Sequence, residues 1–344
     1  MMQALRMLAM AAMVLPQGLF VRADDERGPL VTALAGSASG IVHESYRENN
    51  WELILRAADG SNPRNLTGTP SVHELYPQAS RDGKLIAFVG DETIEGKRVR
   101  SVFYMNRDGS GRKLVARNAR QPCWSPDNRT LAYLPGEFDK YSVVDYVTRG
   151  LRFYDTSTGK HRDHPNKKLH HLYNITWSPG GRWILSTVHG GMGYGHAILA
   201  IAVDGDAVHD LKISGCRPDF SPDGKRICWG MSDHVIAVGK FDLGSGSPRI
   251  TGVSKVISDK KLHLYHSDWS PDGRHISFSL GAGGRVGTNG PGTSRGLAEF
   301  VGVRAKWDLC VVEVASPGRW ERLTGDGLSN KESEWLPPVK PGKR

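Results

Sequence analysis

Short stretches of alternating hydrophobic and polar residues, joined by tight turns, recur along most of this chain. In residues 264–279 the stretch Leu-Tyr-His-Ser-Asp-Trp leads into Ser-Pro-Asp-Gly, and a second alternating stretch follows. Proline presets one backbone angle, aspartate bonds to its own backbone and glycine accepts a positive φ, so Pro-Asp-Gly is typical of a turn. The pattern therefore predicts a β-hairpin.

The same hairpin pattern returns along the chain. The copies align on a serine in the turn, namely Ser80, Ser125, Ser178, Ser221 and Ser270. After the hairpin come another strand, a turn of the Asp-Gly type and a short last strand, as at residues 103–110. The repeating unit is thus a four-stranded antiparallel sheet of roughly 40 to 50 residues. Repeats of this length stack radially as the blades of a propeller.

The two ends of the chain predict a further blade. Residues 332–336 look like a first strand with nothing after it, and residues 39–66 look like second, third and fourth strands with no first strand. Pairing the ends would close the ring and remove an exposed sheet edge. We therefore predict an all-β fold, a six-bladed β-propeller of four-stranded blades over residues 39–337, closed by the C-terminal strand joining the N-terminal blade.

The repeat resembles that of the TolB-like six-bladed β-propeller family, which carries Trp-Ser-Pro-Asp-Gly and a later Asp-Gly-Ser, as in residues 269–273 and 108–110 here. The likeness covers nearly all of residues 39–337, and the N-terminal α/β domain of TolB is not matched. The resemblance implies the fold. It does not select a function, because the same repeat serves in TolB, in propeller domains of peptidases and in some polysaccharide lyases.

The N-terminus predicts export. Residues 1–23 carry Arg6, an apolar stretch and a small residue at a cleavage site, which together are typical of a secretory signal peptide. Residues 24–38 are a short lead-in, and residues 338–344 are a C-terminal tail. No other segment is apolar enough to cross a membrane. We expect a monomeric, periplasmic or secreted protein without a transmembrane anchor in the mature chain.

The charge of the chain bears on its possible partners, and its cysteine count bears on disulfide bonds. Removal of the signal with Arg6 and Arg22 would lower the net charge from +9 to +7, which favours anionic partners such as an acidic glycan and equally fits a solvated surface. Nucleic acid is not expected, since no basic segment is interleaved with aromatic residues. Four cysteines are too few for a disulfide scaffold.

The repeat also sorts the loops onto two faces. Turns between strands one and two, and between three and four, share the short-turn face. Loops between strands two and three share the long-loop face with the blade-to-blade crossovers. The loops between strands two and three are long, at residues 91–98, 136–149, 189–196 and 281–306, and histidines are concentrated in the loops and crossovers of this face and at their edges. Long loops are usually functional, so we predict the ligand site on the long-loop face.

The first strand of each blade begins on that face beside the central axis and would carry polar side chains into it. Residues two apart lie on one side of a strand, so each strand offers two such positions. The predicted ligand-binding residues are His73, Tyr76, His171, Asn174, Arg217, Asp219, His263, His266, Asp268, Glu332 and Glu334. Such a pocket could hold a charged ligand or a divalent metal ion, or it could be a hydrated channel.

No catalytic residue is assigned. Residues 292–296 match the Gly-x-Ser-x-Gly nucleophile pattern, but that pattern needs a strand-to-helix elbow and here lies in a glycine-rich loop. We predict a non-catalytic binding or scaffolding module that holds an envelope protein or glycan. The alternative is a metal-assisted polysaccharide lyase-like enzyme acting on acidic glycans, with a histidine and carboxylate site at the axis. The cofactor stays open between none and a divalent metal.

Overall fold

The computed structural model describes residues 27–137, 147–244, 246–286 and 296–339. The predicted signal peptide and residues 292–295 of the Gly-x-Ser-x-Gly match lie outside these ranges. Within them the structure is almost entirely β, with one short helix, α1 (Pro29–Leu34), in the predicted lead-in. None of the described helices is long and apolar enough to cross a membrane.

In the described residues the strands form six four-stranded blades. Four of them are separate sheets, and blades 1 and 6 are joined into one eight-stranded sheet by a bridge between Trp307 and Ser329. Blade 1 contains β1 (Gly40–Arg47), β2 (Asn50–Ala57) and β3 (Arg64–Asn65). Blade 2 contains β4 (Val72–Ala79), β5 (Leu85–Ile94), β6 (Lys97–Asn106) and β7 (Lys113–Arg117). Blade 3 contains β8 (Ala119–Trp124), β9 (Thr130–Pro135), β10 (Arg152–Asp155) and β11 (His161–Asp163). Blade 4 contains β12 (Leu172–Trp177), β13 (Trp183–Gly191), β14 (Tyr194–Ala202) and β15 (Val208–Asp210).

The remaining strands complete the ring. Blade 5 contains β16 (Cys216–Phe220), β17 (Arg226–Ser232), β18 (Val235–Asp242) and β19 (Arg249–Ser258). Blade 6 contains β20 (His263–Trp269), β21 (His275–Gly281), β24 (Trp307–Glu313) and β25 (Trp320–Arg322), with a small ribbon of β22 (Arg285–Val286) and β23 (Gly296–Leu297) between β21 and β24. The last strand, β26 (Ser329–Leu336), returns to blade 1 as its innermost strand.

The repeated serine closes each first turn, which explains why the motif recurs. The Ser80 hydroxyl accepts the Leu85 N–H at 2.9 Å and donates to Asp82 Oδ1 at 2.7 Å, and Gly83 takes a φ of +69°. Ser270 makes the same pair of bonds with His275 and Asp272. These contacts are local, so the sequence predicted the turns correctly.

Each innermost strand is interrupted by a bulge at the same position. Two residues there oppose one residue of the neighbouring strand, and the first of the two has a positive φ. The six first residues are Tyr76, Gln121, Asn174, Arg217, His266 and Glu332, with φ between +50° and +58°. A positive φ is costly for residues other than glycine, so six equivalent cases mark a feature built into the repeat.

Ring closure follows the sequence prediction. Strand β26 pairs antiparallel with β1, with Trp335 opposite Ile41 and Leu336 opposite Gly40. The innermost strands contact one another in turn around the axis, and β26 contacts both β20 and β4. The hydrophobic core lies mostly between blades, as where Phe153 of blade 3 packs on Trp177 of blade 4 with ring centroids 5.4 Å apart.

Two predicted loops proved to be strand. Residues 91–98 and 189–196 extend the β5–β6 and β13–β14 hairpins, with Ile94 opposite Lys97 and Gly191 opposite Tyr194. Their polar composition suggested irregular structure, but hydrogen bonds continue through both segments. The four cysteines are free.

We expect deletion of residues 332–344 to destabilise the protein strongly, because it removes most of β26. Trp335 and Leu336 are 3% and 0% exposed, and losing two large buried side chains costs at least about 5 kcal/mol. Thermal unfolding measures this loss, with deletion of residues 340–344 as the control. Unchanged melting of the longer truncation would contradict closure by β26.

Candidate functional site

The long-loop end of the axis is covered by a segment of the chain itself. Residues 298–303, here called the plug, belong to the connection between β21 and β24. The backbone carbonyl of Glu299 accepts a hydrogen bond from Arg217 Nη2 at 3.0 Å and one from His266 Nε2 at 2.9 Å. The plug is therefore anchored to the innermost strands of blades 5 and 6.

The plug reaches the opposite side of the ring as well. Lys331 of blade 1, fully buried, donates from Nζ to the carbonyl of Ala298 at 3.1 Å and to that of Phe300. Val301 packs in a hydrophobic cluster with Leu75 of blade 2. The plug thus spans from blade 5 to blade 2, and the axis is not open on the long-loop face.

A buried ionic network lies beneath the plug. Arg217 Nη1 contacts both carboxylate oxygens of Glu332, at 2.7 and 3.0 Å, across the ring from blade 5 to blade 1. Burial, with the nearby Arg217 charge, lowers the pKa of His266 well below its usual value, so this histidine is neutral. Burial raises the pKa of Glu44 to about 8, while its carboxylate accepts the Tyr76 N–H at 3.0 Å.

An inner cavity of about 50 Å³ lies on the axis below this network. Asn174 Oδ1 and His266 Nδ1 are buried and have no hydrogen-bond partner among the described residues. A cavity of this size with polar walls suits ordered water. Eight of the predicted site residues line it, and these are Tyr76, Asn174, Arg217, Asp219, His266, Asp268, Glu332 and Glu334.

The other three predicted residues lie away from the axis. His73 Nδ1 accepts the Trp51 N–H at 3.3 Å, between blades 1 and 2. His171 contacts Glu137 at 3.0 Å, and His263 contacts the Glu299 carboxylate at 2.6 Å. The structure therefore does not bring His73, His171 and His263 together at the axis.

A larger cavity of about 630 Å³, the axial cavity, opens on the short-turn face. Its lining combines innermost-strand residues with the serine-containing turns of several blades. Trp124, Trp177, Trp269 and Trp335 contribute to its walls, each at most 6% exposed. Arg81 stands at the mouth and donates across it to the carbonyl of Trp177 at 3.2 Å.

Asp219, Asp268 and Glu334 line both cavities and form the floor of the larger one. Each accepts a backbone N–H from the next blade: Asp219 from Trp269 at 3.2 Å, Asp268 from Trp335 at 2.6 Å and Glu334 from Ala79 at 3.1 Å. These bonds join neighbouring blades, so the three carboxyl groups have a structural role in addition to facing the cavity.

The floor carboxyl groups are held close together and out of water. Burial raises the pKa of Asp268 well above its usual value, and the charges of Glu334 and Asp219 raise it further. Burial and the Asp219 charge likewise raise the pKa of Glu334 well above its usual value. Carboxyl groups that interact in this way titrate as a coupled set, and a protonated member can donate a hydrogen bond to an ionised one.

The plug and Arg81 were not among the site residues predicted from the sequence. Arg81 had a signal, since it replaces the proline found in the other turns, where Ser-Arg-Asp-Gly stands for Ser-Pro-Asp-Gly. The plug had none, because residues 296–306 lack a motif and their partners lie in other blades. Glu44 and Lys331 likewise meet only through the pairing of β1 with β26.

The donor set does not fit a metal site at the axis. Among the residues that the structure describes, no three histidine, cysteine, aspartate or glutamate side chains are arranged to hold a metal ion. Two of the floor carboxyl groups already accept backbone N–H groups at 3.1 Å or less. We derive no chemical step through a metal there.

Comparison with solved structures identifies the class of fold. The chain is similar to TolB from Acinetobacter baumannii, with a TM-score of 0.62 and 16% identity over 89% of this chain and 69% of that one. It is also similar to Kuenenia stuttgartiensis hydrazine synthase (TM-score 0.59, 13% identity, 91% of this chain and 48% of that one). A chain of a nidogen/laminin complex gives a TM-score of 0.58 at 9% identity, over 87% of this chain and 98% of that one.

No protein-family model matches the sequence, and no curated protein matches it. At these identities the structural likeness shows the fold alone. The chain has the TolB-like β-propeller fold that the repeat predicted.

We expect Asp268→Asn to become more stabilising as pH rises. Because the pKa of Asp268 is raised in the folded state, the folded protein keeps a proton on this group at pH values above about 4, where the unfolded chain has lost it. The contribution of Asp268 to the free energy of unfolding therefore falls as pH increases. Asparagine does not titrate, so the variant lacks this pH-dependent loss of stability, and its amide oxygen can still accept the Trp335 N–H. Relative to the wild type, the variant should gain at least about 1 kcal/mol in free energy of unfolding between pH 5 and pH 8.

Chemical denaturation at the two pH values measures this gain. Asp127→Asn is the matched control, because the Ser125 hydroxyl lowers the pKa of Asp127 and no gain with pH follows. An equal effect of Asp268→Asn at both pH values would mean that the floor is solvated and titrates normally.

Proposed function

We propose that this protein is a non-catalytic binding module that holds part of a partner in the axial cavity of the short-turn face. The observation that carries the proposal is the cavity itself, about 630 Å³ with an acidic floor and aromatic walls. That volume is within the range of ligand sites in proteins. The proposal keeps the predicted class of function and moves the site away from the long-loop face, because the plug covers that end of the axis.

The lining favours one class of ligand. Three carboxyl groups at the floor attract a cationic or hydrogen-bond-donating group, and the tryptophan walls offer apolar surface and ring faces to the aliphatic part of such a group. A lysine or arginine side chain of a polypeptide has both parts. An acidic glycan, which the positive net charge of the mature chain favoured, would meet carboxyl groups at this floor.

Ordinary side-chain binding needs no bond-making step, so we assign no catalytic residue. The metal-assisted lyase stays the alternative prediction, and no contact among the described residues favours it over binding. Release of unsaturated product from an acidic glycan by the purified protein would favour the lyase over the binding module.

The proposal is tested with two peptide pools that differ only at a central residue, lysine or arginine in one and aspartate or glutamate in the other. Titration calorimetry with the mature protein should detect the basic pool and not the acidic pool. Replacing Asp268 and Glu334 by their amides should weaken binding at least tenfold, because a bound cation favours the ionised form of a carboxyl group and the amides cannot ionise.

Glu95→Gln is the matched control, since Glu95 is an exposed carboxylate at the tip of the β5–β6 hairpin on the long-loop face. It should bind the basic pool as the wild type does. Equal loss in Glu95→Gln and the floor variant, or binding of neither pool, would overturn the proposal.

We also propose that the protein acts outside the cytoplasm, on the strength of the signal-peptide pattern in residues 1–23. Expression of the full chain in a bacterium should yield a processed form in the periplasm or medium. Its intact mass should correspond to a chain starting near Asp24. An unprocessed chain retained in the cytoplasm would contradict export.

A further inference from the structure

Two histidines face each other on the β13–β14 hairpin, at the long-loop end of blade 4. His189 and His196 are directly opposed across the two strands. Their Nδ1 atoms are 3.3 Å apart, and the ring planes are inclined at 74°. Two imidazole nitrogens that bind one tetrahedral zinc ion lie roughly 3.3 Å apart, given Zn–N bonds of about 2.0 Å. The spacing therefore fits two ligands of one ion.

The tautomer of His196 also fits. Its Nε2 lies 2.9 Å from the backbone carbonyl of Gly215, at the crossover into blade 5. A carbonyl only accepts, so Nε2 carries the proton and Nδ1 presents its lone pair towards His189. Metal-binding histidines commonly donate their second nitrogen to a backbone carbonyl in this way, which fixes the ring and raises its basicity.

The pair is open to solvent. Both histidines are exposed, and a side-chain atom placed on Gly190, Gly193 or Gly195 would meet nothing within 4 Å. An ion can therefore approach the hairpin and retain water in its remaining positions. In the described part of the chain no third histidine, cysteine or carboxylate completes a three-ligand group, so protein ligation stops at two.

We propose that His189 and His196 form a binding site for a late first-row divalent metal ion, such as Zn²⁺, with water as the other ligands. Without the ion the same geometry suits an N–H···N hydrogen bond from His189 to His196. Metal binding at Nδ1 of His189 requires that proton to move to Nε2 of the same ring, so the imidazole stays neutral and binds through its free lone pair. The bound ion would join the two strands of the hairpin at its glycine-rich end.

The test is titration calorimetry of the untagged mature protein with ZnCl₂ at pH 7.5. We expect one ion to bind per chain. His189→Ala and His196→Ala should each raise the Kd for zinc at least tenfold, because a single imidazole binds the ion far more weakly than two.

His161→Ala is the matched control, an exposed histidine on the outer strand of blade 3. It should leave zinc binding unchanged, and all variants should melt as the wild type does without zinc. No zinc uptake by the wild type, or equal loss of affinity in His161→Ala, would overturn the site.

Discussion

The pairing of β26 with β1 is the contact on which the rest of the structure depends. It closes the ring, and it also delivers Lys331, Glu332 and Glu334 to the axis, where they meet residues of other blades. Arg217 and Glu332 are 115 residues apart in sequence and form the central ion pair of the network. Removing one partner of a buried ion pair is costly, so loss of ring closure would also disrupt the polar network at the axis.

The bulge repeated in each innermost strand organises that axis into two layers. Its first residue, in left-handed conformation, belongs to the layer beneath the plug, as Arg217 and His266 do. Two residues further on, Asp219 and Asp268 belong to the layer that bonds the next blade and faces the axial cavity. One strand irregularity thus serves both inter-blade adhesion and the site.

The two ends of the axis therefore differ in chemistry. The long-loop end is filled by the plug, whose backbone carbonyl groups accept hydrogen bonds from Arg217, His266 and Lys331. The short-turn end leaves carboxyl groups, tryptophan rings and Arg81 around open space.

The sequence by itself determined the blade count, the turn chemistry and the closing strand, because each depends on local contacts such as those of Ser80 with Asp82 and Leu85, repeated along the chain. It also placed Asp219, Asp268 and Glu334 at the axis, since their spacing follows from the repeat. Only the tertiary structure decided which end of the axis is open. Glu299 lies 82 residues from Arg217 in sequence, and no periodic pattern encodes a contact between a unique loop and a distant blade.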